Sequence, residues 1–128
     1  MKIERLDHLV LTVADIERSC QFYQQVLGFD IITFRGDRKA LRFGQQKINL
    51  HRQGHEFEPK AHRPTAGSAD LCFITSTPLA EVIAELDDLG VIIEEGPVER
   101  TGAIGPLLSL YLRDPDNNLL EIANLQSA

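Results

Sequence analysis

Two stretches of this 128-residue chain, one beginning near His8 and the other near Asp70, read alike. A repeat of this length restricts the chain to architectures built from two copies of one unit. Residues Leu6 to Val13 (LDHLVLTV) alternate and are rich in Leu and Val, the pattern of a half-buried strand. A helix is expected directly afterwards. Asp15 is placed to cap it, Glu17 falls in its first turn, Ile16, Cys20, Tyr23 and Leu27 recur at helical spacing, and Gly28 supplies a left-handed stop. The second copy repeats the order with a strand over Asp70 to Thr75, Thr77 as cap, Pro78 at the first helical position, the stripe Leu79, Ile83, Leu86 and Leu89, and Gly90 as stop. His8 and Asp70 lie 62 positions apart, and so do Gly28 and Gly90.

Three short strand-like runs follow each helix. In the first half they are Asp30 to Phe34, Lys39 to Phe43 and Lys47 to His51, separated by turns at Gly36-Asp37 and Gly44-Gln45. In the second half they are Val91 to Glu94, Leu107 to Leu112 and Asn118 to Ala123, with the tight turn Asp114-Pro115-Asp116-Asn117 before the last. Each half is therefore strand, helix, strand, strand, strand. One such unit leaves one sheet face open unless a second unit closes it. The expected fold is α+β, two βαβββ modules related by a pseudo-twofold axis and forming an open barrel-like sheet. All 128 residues then make a single domain, with module one over about 1–55, a polar connector over about 56–67 and module two over about 68–128. The stretch Gln53 to Gly67 is expected to act as hinge or lid. The partner half lies in the same chain or in a second one, and a homodimer is expected.

Composition narrows the functional classes. Apolar residues make up 43% of the chain, enough for one well-buried core, and no apolar run approaches the roughly 20 residues that span a bilayer. The opening Met1-Lys2-Ile3-Glu4-Arg5-Leu6-Asp7 lacks the unbroken apolar stretch of a secretory signal, so a soluble cytoplasmic protein is expected. A net charge of -6 repels a phosphate backbone, which argues against nucleic acid or anionic membrane as partner and leaves a small molecule. Cys20 and Cys72 lack the close spacing of a redox or zinc motif and are expected to be buried free thiols.

Strand alternation assigns the candidate functional residues, because side chains two apart share a face. With Leu9, Leu11 and Val13 facing the helix, His8, Val10 and Thr12 fall on the opposite, concave face. In the last run of the first half Ile48 and Leu50 face the helix, leaving Asn49 and His51 on the concave side. In the second half Asp70 and Cys72 oppose Leu71 and Phe73, and Glu121 stands between Leu120 and Ile122. A carboxylate flanked by core residues is costly to bury unpaired, which singles out Glu121. Polar positions from both halves are expected to converge in one cavity.

The stretch DHLVLTVADIERSCQFYQQVLGFDI, the central KINLH and the closing RDPDNNLLEIAN resemble the signatures of the vicinal oxygen chelate superfamily, the group of glyoxalase I, fosfomycin and bleomycin resistance proteins and extradiol dioxygenases. The chain looks closest to glyoxalase-domain proteins. The resemblance implies one divalent metal, Ni, Zn, Mn, Fe or Co, held by a first-strand and a last-strand residue of each half. By position these are His8, Asn49, Asp70 and Glu121. Asn49 and Asp70 depart from the family, which has a carboxylate at the former in glyoxalase I and most often a histidine at the latter. His51, on the same face as Asn49, is a candidate for the missing imidazole, giving His8, His51, Asp70 and Glu121 as metal ligands; lining the cavity is its alternative role. Asn49, Cys72, Thr12 and Arg100 are then candidate substrate-binding residues.

What the resemblance implies about reaction is a metal-dependent lyase or isomerase of the glyoxalase type. Such an enzyme transfers a proton next to a carbonyl of a small oxygenated substrate, with Glu121 as both metal ligand and base. Two alternatives stand beside it, an Fe(II) extradiol-type dioxygenase using His8, His51 and Glu121, and a metal-free binding or resistance protein. His55 and His62 are expected to face solvent, Arg113 and Asp114 to be structural, and the stretch GPVERTGAIGP, with Arg100, Thr101, Gly102 and Gly105, to form a loop that either covers substrate or is simply solvated.

Overall fold

The computed structural model describes residues 1–127, and the chain divides into two compact units, Met1–Ser68 and the part from Ala69 onward. The first unit runs β1 (His8–Val13), α1 (Ile16–Leu27), β2 (Asp30–Phe34), β3 (Arg38–Phe43) and β4 (Gln46–Arg52). Its mixed sheet has the order β1-β4-β3-β2, with β1 parallel to β4 and the other pairs antiparallel. The helix starts where the sequence places it: the Asp15 side chain accepts a hydrogen bond from the Arg18 N–H at 3.1 Å. It stops at Gly28, whose φ of 71° puts its own N–H on the Gln24 carbonyl. Cys20 and Tyr23 from α1 pack with Leu11, Val13, Leu41, Ile48 and Leu50 in the core, and Phe29 stacks between Tyr23 and Phe43. Each fully buried Leu or Ile contributes about 1.5–3 kcal/mol.

The connector does not stand free of this unit. Gln53 N–H donates to the Val13 carbonyl, Ala66 N–H donates to the Gln53 side chain, and the Phe57 ring meets His51 edge-on at 5.3 Å beneath the Arg38 guanidinium. It therefore covers part of the sheet face opposite α1. Under it Thr12 and His51 are buried, although polar residues on an uncovered face would be wet.

The second unit runs β5 (Asp70–Ile74), α2 (Leu79–Asp88), β6 (Glu95–Thr101), β7 (Pro106–Arg113) and β8 (Leu119–Leu125), in the sheet order β5-β8-β7-β6, with β5 parallel to β8. Each unit is thus the expected βαβββ module.

Several details differ from the sequence reading. The apolar run Val91 to Glu94 is not a strand. Val91 N–H bonds back to the Leu86 carbonyl as the chain leaves α2, and pairing with β7 begins at Glu95, with a bulge before Val98. Gly96 in that bulge has φ 113°, and a Cβ there would lie 2.6 Å from the Ser109 carbonyl oxygen, so only glycine fits. Arg100 and Thr101 are consequently strand residues, and only Gly102 to Gly105 form the turn, closed by a hydrogen bond of 2.9 Å between them. Leu89 is exposed rather than part of the α2 stripe, which consists of Leu79, Val82 and Leu86.

Nor does Thr77 cap α2. Pro78 occupies the cap position with no side-chain bond of its own, and Asn124 from β8 takes over: its Oδ1 accepts from Leu79 N–H at 2.8 Å, and its amide donates to the Thr75 and Thr77 carbonyls. A proline has no side-chain acceptor, so the cap arrives from a residue 45 positions away. Asn124→Ala is expected to destabilise the protein by about 2 kcal/mol, against about 0.5 kcal/mol or less for Thr77→Ala, measured as the shift in urea midpoint at unchanged slope.

Candidate functional site

In the first unit the parallel register pairs His8 with Lys47, Val10 with Asn49 and Thr12 with His51, so all six side chains share the face opposite α1. His8, with its side chain 45% exposed, has Nδ1 at 2.8 Å from Asp7 Oδ2. An ionised carboxylate only accepts, so the proton of this contact sits on Nδ1, and in the neutral ring the lone pair is then on Nε2. The hydrogen bond from His8 in turn holds the Asp7 carboxyl below its ordinary value. The Asn49 Oδ1 is buried and has no hydrogen-bond partner.

His51 stands four residues further along the paired strands than His8, roughly 13 Å at the usual strand rise. Burial, and secondarily the Arg38 cation, lowers its pKa against an opposing pull from Glu56. It is only 9% exposed, its ring meets Phe57, and among the described residues it makes no hydrogen bond. The neighbouring connector carries its own charge pairs: Lys60 lies 3.8 Å from Glu56 and 3.3 Å from Glu58. His55 and His62 are exposed, as expected.

In the second unit Asp70 pairs with Leu119 and Cys72 with Glu121. Asp70 is exposed and Glu121 half-buried. Cys72 is exposed as a residue, contrary to the expected buried thiol, because it points to the open face while Leu71 and Phe73 point to the helix side. Its thiol is nonetheless pushed up to about 11, by desolvation first and then by the charge and hydrogen bond of Glu121 and the charge of Asp70.

Tyr111, which the sequence reading did not single out, lies directly opposite Glu121 on β7. Arg100 Nε donates to its hydroxyl oxygen at 2.9 Å and Nη2 reaches Glu95 at 3.4 Å. The hydroxyl oxygen of Tyr111 is therefore occupied as acceptor, and its proton remains to be donated. The alternation in Leu108-Ser109-Leu110-Tyr111-Leu112-Arg113 was the available signal, since Leu110 and Leu112 fill the core and the residues between them face the other way. The closing turn is structural: buried Asp114 accepts from the backbone of Asp116 and Asn118 and from the Asn118 amide, while Arg113 pairs with Glu94.

Among the described residues no group of three or more His, Cys, Asp or Glu side chains is gathered to hold a metal ion. Unit one offers His8 Nε2 and the orphaned Asn49 oxygen, and unit two offers the Asp70 and Glu121 carboxylates. Imidazole nitrogen, amide oxygen and carboxylate are each donor types that divalent transition ions accept, so the donors within each unit are chemically compatible with the group that the resemblance implies.

Residues 5–122 match the Glyoxalase/Bleomycin resistance protein/Dioxygenase superfamily, and the chain belongs to it. It is 63% identical over 123 residues to virulence protein STM3117 of Salmonella typhimurium, covering 96% of this chain and 85% of that protein. The crystal structure of that protein superposes with a TM-score of 0.97 at 62% identity, over 98% of this chain and 100% of the other. The chain is also 50% identical over 128 residues to glyoxalase domain-containing protein RDO1 of Mycosarcoma maydis, covering 100% of this chain and 72% of that protein. Lactoylglutathione lyase from Agrobacterium tumefaciens, at 18% identity and a TM-score of 0.74 over 97% of this chain and 96% of the other, shares the fold. No helix among the described residues is long and apolar enough to cross a membrane.

Two titrations check these environments. With the His51 pKa lowered in the folded state, the unfolded chain binds a proton that the folded chain does not between that depressed value and about 6.5. Stability should accordingly fall as pH drops through this window, and His51→Gln should flatten the fall in urea midpoints measured at stepped pH. In metal-free protein Cys72 should react slowly with a thiol reagent at pH 8, since a thiol at about 11 is thiolate in roughly one molecule per thousand there, and Glu121→Gln should accelerate it.

Proposed function

We propose that this protein is a divalent-metal-dependent enzyme of the glyoxalase type, a lyase or isomerase that moves a proton next to a carbonyl of a small oxygenated substrate. The observation that carries this reading is the 2.8 Å contact of Asp7 with His8 Nδ1, which orients the ring and leaves Nε2 as a donor for a metal. Carboxylate-held histidines are the usual partners of bound metals. His8, Asp70 and Glu121 serve as ligands, and Asn49, whose amide oxygen has no partner, takes the fourth position in preference to His51. His51 lies too far along the strand from His8 to share its ion comfortably, and the nearby Arg38 cation disfavours a second positive charge there.

The metal, when bound, neutralises the negative charge that develops on a substrate oxygen. Glu121 removes and returns the proton, being a half-buried carboxylate with the Cys72 thiol against it. Tyr111, opposite Glu121 and with its oxygen engaged by Arg100, donates its hydroxyl proton in a hydrogen bond to a substrate oxygen. A homodimer acting on a small molecule in the cytoplasm completes the reading, the net charge of -6 disfavouring nucleic acid as partner.

Elemental analysis of purified protein after incubation with Mn, Fe, Co, Ni or Zn tests it. About one metal per chain is expected, lost in His8→Ala and Glu121→Ala and bound about 10–100-fold more weakly in Asp7→Asn. Metal that binds equally to all four proteins, or to none, overturns the assignment. With metal in place, turnover of hemithioacetal or 2-oxo substrates should disappear in Glu121→Gln; oxygen consumption with catechols under ferrous iron would instead favour the dioxygenase.

A further inference from the structure

The first unit holds a cleft of about 260 Å³ on the face that carries His8 and Asn49, roofed by the connector. Val10, Pro59 and Ala61 give it apolar walls, and Thr12, His51 and Lys60 form the polar part of its lining. Thr12 and His51 are more than nine-tenths buried as residues, at 7% and 9% exposure, and neither side chain has a hydrogen-bond partner among the described residues. Directly paired in the register of adjacent strands, they place free hydrogen-bonding capacity on the wall of one cleft, where an outside molecule can take it up.

Charge and volume define that molecule. Lys60 on the lining is balanced by Glu56 and Glu58, and Arg38 lies outside the lining with its guanidinium over the Phe57 ring at 3.7 Å, so no unpaired cation lines the cleft to receive a phosphate or a dicarboxylate. The cleft is smaller than the roughly 300–1,000 Å³ that drug-sized ligands occupy, which excludes a peptide-sized conjugate from it.

We propose that the cleft at Thr12 and His51 is a binding site for a small uncharged hydroxy- or oxo-compound, its hydrocarbon part against Val10, Pro59 and Ala61 and its oxygen hydrogen-bonded to Thr12 and His51. Only the identification of this compound as the substrate rests on the metal-enzyme reading. The binding itself needs neither metal nor turnover.

The test is a titration of the isotope-labelled full-length chain, in the presence of a chelator, with trans-1,2-cyclohexanediol, followed through backbone amide and His51 ring signals. Saturable shifts confined to Val10, Thr12, His51 and the segment around Ala61 are expected, with cyclohexanecarboxylate binding more weakly. Ala61→Phe, a substitution at an exposed position whose ring would fill the cleft, should abolish the saturable shifts. Thr12→Val, nearly isosteric, should weaken binding about tenfold, the equivalent of one hydrogen bond. A spectrum as dispersed as that of the parent chain shows that each variant is folded. Shifts that never saturate, that persist unchanged in Ala61→Phe, or that are stronger with the carboxylate overturn the proposal, whatever the metal analysis gives.

Discussion

In each unit the first strand lies parallel to the last, and this one pairing decides which side chains become neighbours on the open face. A parallel pair cannot be joined by a tight turn, so the helix and two further strands come between its members, and the register is fixed by side chains instead. In the second unit Asn118 does this from within the closing turn: its Oδ1 accepts from Ala69 N–H at 2.9 Å while its amide is held by Asp114. The corresponding station in the first unit, 72 positions earlier, is Gln46, whose amide donates to the Leu6 carbonyl at 2.8 Å. A slip of one residue at either station would turn His8 or Glu121 into the apolar core and expose a leucine or isoleucine in its place.

On this common frame the two units have diverged in chemistry. His8 corresponds to Asp70, Asn49 to Glu121, Val10 to Cys72, Thr12 to Ile74 and His51 to Ala123. The outer pair of stations carries donors in both units. The inner pair is polar in the first unit alone, where the connector shields it, and apolar in the second, where Ile74 remains 58% exposed. The extra threonine and histidine answer no need of the fold, because the equivalent positions do without them. Their hydrogen-bonding groups lie on the wall of the cleft beneath the connector, where a bound molecule would meet them.

The two helices show how the same structural demand is met locally or at a distance. Asp15 caps α1 three residues before its partner N–H, so a short sequence window contains the whole interaction. α2 begins at a proline that offers no acceptor, and Asn124 supplies the oxygen across the sheet. Asn124 also ties the Thr75 and Thr77 carbonyls, so the end of β8, the exit of β5 and the start of α2 are one hydrogen-bonded joint. This joint lies three residues beyond Glu121 and helps fix the strand that carries it.

The sequence by itself determined the two βαβββ modules, their helix boundaries within a few residues, and the open-face positions of His8, Asn49, His51, Asp70, Cys72 and Glu121. All of these follow from periods of 2 and 3.6 residues, which are local. It placed the strand at Val91 to Glu94 wrongly because three apolar residues in a row satisfy a strand pattern, whereas the real β6 is exposed and is recognisable only by its pairing with β7. Tertiary structure alone decided the Asn124 cap, the Tyr111 and Arg100 pair opposite Glu121, the distance of His51 from His8 and the closing of the connector over Thr12. Each of these depends on which residues distant in sequence are brought into register, and register is fixed by packing and hydrogen bonds that no local pattern encodes.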